Sequence, residues 1–238
     1  MSGTDFSELD RAGLNLQAVF DLARLPADLR GRLPDTAAAF RQLILIGNAG
    51  PALWRAVCAE GIRSADPIDD FSIRHVTRWF AQHCPGRHSH RLYPGNAPAD
   101  LQTLGRLAGW HHPSPFKVGI HAELGTWFAY RVALLADTHL PLTTAPATAS
   151  PCPRCTDTPC IAACPADAMA GGSFALDACI RYRRQPDSRC ANTCLARLAC
   201  PVGTAHRYDA AQIHHGYANS LRMIEHYQAL RETNDGRA

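Results

Sequence analysis

The chain has 238 residues, of which 46% are hydrophobic and 19% charged; it can build one large or two small cores, and a disordered chain is excluded. A formal net charge of +3 excludes a nucleic-acid coat or a polybasic membrane patch as the governing feature. No apolar run reaches the roughly 18 residues of a transmembrane helix, and Met1 to Asn15 lack the basic-then-apolar pattern of a secretory signal, so a cytoplasmic location is expected.

Residues 1–40 are expected to be largely helical, with Leu14, Leu16, Val19, Phe20 and Leu25 as apolar positions and Pro26 and Pro34 as punctuation. Leu43 to Ile46, closed by Gly47, predicts a buried strand, and Pro51 to Val57 begins a helix. Asp66 as N-cap, Pro67 at the first helical position, and Asp69 and Asp70 in the first turn predict a second helix. Ile73, Val76 and Phe80 form its core face, and Phe71, His75 and Trp79 share a neighbouring one. Lys117 to His121 and Trp127 to Ala136 predict two strands of an antiparallel hairpin, turned at Gly125. Residues 141–151 hold three prolines and no charge, which marks a linker. A terminal helix is expected from Asp209 to Arg231, with Ile213, Tyr217, Leu221, Ile224 and Tyr227 on its apolar side. The fold class is α+β, with a first domain over 1–146 and a second over 147–238.

The cysteines are unevenly placed. Only Cys58 and Cys84 of the ten precede residue 151, which leaves eight between Cys152 and Cys200. In a reducing compartment such a cluster points to metal rather than to disulfides. The first run is Cys152-x2-Cys155-x4-Cys160-x3-Cys164-Pro165, and the second is Cys179-x10-Cys190-x3-Cys194-x5-Cys200-Pro201. Bacterial ferredoxins use a related run in which the last cysteine, before proline, ligates the other cluster. That rule assigns Cys152, Cys155, Cys160 and Cys200 to one [4Fe-4S] cluster, and Cys164, Cys179, Cys190 and Cys194 to a second. Two zinc ions with four cysteines each would use the same eight residues and stay open as the alternative. Arg181, Arg183, Arg184, Arg189 and Arg197 lie among the ligands, with Asp187 the one acid between 180 and 200. Cations there raise a cluster's potential or guide an acidic electron donor, or simply form a solvated face.

Gly119-Ile-His-Ala-Glu-Leu-Gly-Thr-Trp-Phe-Ala-Tyr-Arg131 resembles the Ile-His-Pro segment, ending in Gly-x-Trp-Phe, of CblC-type cobalamin-processing proteins, with Ala122 in place of the proline. Asp66-Pro67-Ile68-Asp69 with His75, and Gly50 to Trp54, are similar to further segments of that family. Leu176 to Tyr182 resembles the segment around the fifth cysteine of epoxyqueuosine reductases, which carry the same eight-cysteine arrangement. The resemblance implies a nitroreductase-like domain that binds cobalamin, followed by a ferredoxin-like domain with two [4Fe-4S] clusters. The corrinoid contacts it implies are His75, Lys117, Gly119, Ile120, His121, Trp127 and Arg131, with Arg131 also a candidate contact for glutathione. Trp110 to Phe116 replaces a Gly-Lys-Asn stretch of the reductases, and its His111 and His112 are candidates to cap the corrinoid. Asp137-Thr138-His139 begins a corrinoid-binding motif that Leu142 fails to complete, so His139 is read as a strand-end residue.

The expected function is transfer of single electrons from the clusters to a corrinoid, with reduction or removal of its upper ligand. The expected donor is a low-potential ferredoxin or flavodoxin. A membrane or nucleic-acid partner is not expected. The alternatives are a corrinoid-dependent reductase of an external substrate, and an electron-transfer protein with a flavin-binding or docking domain.

Overall fold

The structure is a computed structural model that describes residues 4–61, 63–95 and 99–235, with 228–235 described by their backbone alone. The chain forms two compact units. The first joins residues 1–112 to 127–149, and the second joins 113–126 to 150–238. The division is not contiguous: the segment containing Lys117, Gly119, Ile120 and His121 belongs with the cysteine-rich half.

The first unit is built on an antiparallel sheet of order β1-β2-β4-β3, made of β1 (Leu16–Asp21), β2 (Gln42–Ala49), β3 (Ser89–Tyr93) and β4 (Phe128–Ala136). β2 is buried along its whole length, as the Leu43–Ile46 run predicts for a strand with neighbours on both sides. β1 corrects the helical expectation for 1–40. The region holds only short helices, α1 (Ser7–Arg11) and α2 (Ala27–Arg30), on either side of the strand. Its outer edge is engaged by the linker: Val19 N–H donates to Thr143 Oγ1 at 2.9 Å, and Thr143 N–H donates back to Val19 O at 3.0 Å. Such pairing blunts an open strand edge.

The hairpin expected at 117–136 does not form. β4 pairs with β2 and β3, and residues 117–121 contribute one isolated bridge, His121 to Gly125. His121 Nδ1 accepts the backbone N–H groups of Glu123 at 3.0 Å and Leu124 at 3.2 Å, which curls the chain at the point where a strand would have to continue. Lys117 sits at a φ of 65°, outside the strand region.

Helix α3 (Ala52–Glu60) ends at Gly61 in the left-handed conformation that lets glycine close a helix. Helix α4 (Pro67–His83) starts with Pro67 as expected, and Asp69 and Asp70 fill its first turn. Asp66 occupies the N-cap position, but its side chain makes no capping hydrogen bond; its carbonyl accepts from Asp70 N–H at 3.0 Å. Phe71, His75 and Trp79 are buried together with Val76 and Phe80, whereas Ile73 is only partly covered. They pack with Val19, Ile44 and Ile46 of the sheet and Leu53 and Val57 of α3. The Trp79 indole donates to Asp5 O at 2.8 Å and stacks on Phe6 at 4.9 Å. Helix α5 (Leu101–Leu107), capped by Asp100 on Thr103 N–H at 3.0 Å, is the last helix of this unit.

The second unit contains α6 (Pro159–Ala162), α7 (Leu176–Arg183), α8 (Leu195–Ala199) and α9 (Ala210–Asp235). The expected terminal helix is present, with Ile213, Tyr217, Leu221 and Ile224 partly buried and Tyr227 59% exposed. Phe116 packs with Cys160, Met169 and Ala196, which ties the 113–126 segment to the cysteine-rich region. A close backbone crossing reinforces this tie. Gly125 has a φ of 62°, and a Cβ there would meet Val202 O at 2.0 Å. Among the described residues no helix is long and apolar enough to cross a membrane.

Gly125→Ala combines an unfavourable φ with a backbone collision. It is expected to destabilise the second unit by about 1–3 kcal/mol in denaturant unfolding. A wild-type midpoint would show that the crossing is not close.

Candidate functional site

All ten cysteines are free. Within the second unit, two pockets divide eight of them into fours. Cys152, Cys155, Cys160 and Cys200 line one, with Phe116, Pro159 and Pro201 beside them. Cys164, Cys179, Cys190 and Cys194 line the other, with Pro165, Arg183 and Tyr217. Each pocket takes three cysteines from one run and the cysteine before proline from the other.

Local structure explains the division. Cys152 opens a short 3-10 turn, and Cys160 lies within α6. Cys164 follows α6, two residues past its last, Ala162, where Pro165 redirects the chain. Cys179 is carried by α7, and Cys194 and Cys200 flank α8 on opposite ends. One short helix therefore serves both pockets.

Burial pushes the Cys152, Cys160, Cys179 and Cys190 thiols up, and the sulfurs of the same set push them further. Backbone N–H groups of Ile161 and Leu195 pull Cys160 and Cys190 the other way, as does Arg183 for Cys179 and Cys190. Four such thiols resist ionisation together; a cationic metal guest reverses that balance. Among the described residues no three His, Cys, Asp or Glu side chains converge closely enough to hold one metal ion.

Arg183 is 7% exposed. Its guanidinium donates to Cys190 O at 3.2 Å, Ala191 O at 3.2 Å, Tyr217 O at 2.8 Å and Ser220 Oγ at 3.2 Å. It also lies over the Tyr217 ring at 5.4 Å. Among the described residues none of its partners is a carboxylate. A buried cation of this kind is costly unless an anion lies close by.

The expected corrinoid contacts are divided between the units. His75, Trp127 and Arg131 lie in the first, and Lys117, Gly119, Ile120 and His121 in the second. Trp127 is 0% and Ile120 1% exposed, so both are interior residues. Lys117 is exposed, and Gly119 is partly buried without a left-handed φ. His75 is buried, stacked on Phe71 at 4.0 Å, with Nε2 on Glu60 Oε1 at 2.8 Å and Nδ1 on Arg78 at 3.0 Å. His111 and His112 are also engaged inside the first unit. His111 Nδ1 lies 2.9 Å from the Tyr130 hydroxyl and His112 Nε2 lies 3.0 Å from Thr148 Oγ1. His139 is exposed.

Arg131 is fixed within the first unit by its Nε, which donates to Asn48 Oδ1 at 2.6 Å. Asp69 and Tyr93 share its surroundings. Burial raises the Asp69 carboxyl, against the pull of Arg131 and with help from Asp66 and Asp70. Burial likewise raises the Tyr93 phenol, Asp69 adds to the shift, and Arg131 opposes it. The sequence reading gave Asp69 only a place in a helix turn and did not single out Asn48 or Tyr93. The one available signal was a polar Asn48 inside an otherwise apolar run.

No protein-family model matches the sequence, and neither does any curated protein. Solved structures are similar in fold. An epoxyqueuosine reductase in complex with a tRNA-Tyr epoxyqueuosine-modified stem loop superposes with a TM-score of 0.56 at 12% identity, over 88% of this chain and 67% of that one. The Bacillus subtilis epoxyqueuosine reductase gives 0.53 at 12% identity, over 86% of this chain and 66% of that one. The C. elegans B12-trafficking protein CblC gives 0.48 at 12% identity over 88% and 87%, below the level at which a shared fold is inferred. The chain thus spans about two thirds of the reductases' length, and at this identity the likeness to them is one of fold.

Burial holds the His111 imidazole below its ordinary 6.5, so the folded state binds fewer protons there than the unfolded chain. Its stability contribution is present above about pH 6.5 and is lost as pH falls through the depressed folded value. The thermal midpoint is expected to drop on acidification from about pH 7 to 5, and His111→Asn is expected to flatten that slope. An unchanged slope in the variant would assign the drop to other groups.

Proposed function

We propose that this protein is an iron–sulfur oxidoreductase in which two [4Fe-4S] clusters pass single electrons to a bound corrinoid, reducing it or removing its upper ligand. The observation that carries the reading is the pair of pockets, each lined by four free cysteines drawn crosswise from the two Cys-Pro runs. Zinc is the rival guest. Four sulfurs around one zinc, each about 2.3 Å from it, stand within about 4 Å of one another. The described side chains do not converge in that way. A cubane gives each thiolate its own iron, so its ligands need not meet at one point.

When bound, a cubane gains and loses one electron at a time at a potential set by its surroundings. The chain's part is to supply the thiolates, to turn away at Pro165 and Pro201, and to exclude water with Phe116 on both pockets and Tyr217 on one. The corrinoid is supported by the segment resemblances and by the fold likeness to epoxyqueuosine reductases. Its polar contacts in the first unit would come from Arg131, with Asp69 and Tyr93 beside it. His75 keeps both ring nitrogens on Glu60 and Arg78, so it has no lone pair to offer cobalt. Arg131 is also suited to the carboxylate of a thiol cosubstrate such as glutathione. A cytoplasmic ferredoxin or flavodoxin would supply the electrons.

A second reading, reduction of an external substrate, draws on the likeness to a reductase seen with a tRNA stem loop. A gel shift with tRNA would favour it.

Anaerobically reconstituted protein is expected to hold about eight iron per chain, and Cys190→Ala about four. Hydroxocobalamin with a one-electron donor is expected to give the Co(II) spectrum rapidly with the parent protein and slowly with the variant. Zinc in place of iron would overturn the proposal.

A further inference from the structure

The two cysteine pockets differ in the charge built around them, and on the two-cluster reading that difference has a direction. We infer that the cluster held by Cys164, Cys179, Cys190 and Cys194 is the more easily reduced of the two, and that Arg183 is the residue that raises its potential. An electron arriving at the other cluster then runs downhill to this one.

Reduction adds one negative charge to a centre that is already anionic. Positive charge and hydrogen bonds to sulfur favour the reduced state, while burial disfavours it. Burial acts on thiols of both pockets, Cys152 and Cys160 as well as Cys179 and Cys190, so it does not separate them. The cations do. Arg183 stands four residues after Cys179 on α7, and its guanidinium donates to the carbonyl of Cys190, so its charge lies against the backbone of two ligands. It is buried, and among the described residues no carboxylate neutralises it, so neither solvent nor a counter-charge weakens its field.

Among the described residues that line the first pocket there is no arginine, lysine or histidine. The nearest arginine in sequence, Arg154, is exposed, where water and salt screen its charge.

Redox titration of the full-length, anaerobically reconstituted protein, followed by electron paramagnetic resonance, tests the inference. Cys155→Ala and Cys190→Ala each remove one cluster and so identify the two waves. The wave that survives Cys155→Ala is expected to be the more positive. Arg183→Gln is expected to lower that wave alone by a tenfold change in the reduced-to-oxidised ratio, about 59 mV for one electron, with partial recovery in Arg183→Lys. If Arg183→Gln does not fold, the order of the two waves in the cysteine variants carries the test. Waves in the reverse order, or both unmoved in Arg183→Gln, would overturn the inference; iron near eight per chain would then leave the two-cluster reading standing. Iron near zero in the parent protein would overturn that reading itself.

Discussion

Buried thiols do not share a pocket comfortably. Each set of four is held by short helices and proline turns, where burial and the neighbouring sulfurs push the Cys160 and Cys179 thiols up. Metal binding turns this mutual opposition into attraction, because the guest supplies the positive charge that the sulfurs lack. The second unit has few other means of cohesion. Its apolar cluster is Phe116, Cys160, Met169 and Ala196 with a handful of partly buried neighbours, and two of its larger apolar side chains, Leu176 and Met223, are 57% and 50% exposed. On the two-cluster reading, guest binding and folding are coupled in this half of the chain.

The first unit has the opposite character. Its sheet and α4 bury a continuous apolar core, and His75 and His111 are engaged in internal contacts. Arg131, Asp69 and Tyr93 share one polar neighbourhood. A half-buried carboxyl there stays protonated more readily than one in water, and a guanidinium fixed by Asn48 keeps its direction.

What could be read from the sequence follows from where the information lies. The cysteine grouping was legible because ligand spacing and Cys-Pro endings are local constraints, and the pockets show the same fours. Helices α3, α4 and α9 and the buried strand β2 were legible from periodicity and end signals. Strands β1 and β3 were not. Both are sheet edges whose side chains are only partly buried, so their alternation is weak. The false hairpin arose because Lys117 to His121 has strand-like composition. A histidine ring accepting two N–H groups is a tertiary detail that composition does not carry. The corner at Arg131 was half visible: the arginine came from resemblance, while Asn48, Asp69 and Tyr93 come from strands and a helix far apart in the chain.

The interrupted second unit bears on how the protein is made. The chain passes from one unit to the other at 112/113, 126/127 and 149/150. During synthesis, residues 113–126 leave the ribosome before the last strand of the sheet, yet Phe116 must wait for Met169 and Ala196, and Thr126 for Arg197. The sheet can close while this loop is still unaccompanied, and on the two-cluster reading metal loading comes after the tail has found it. A fragment that starts at Ser150 would hold all eight clustered cysteines and still lack Phe116, which lines both pockets.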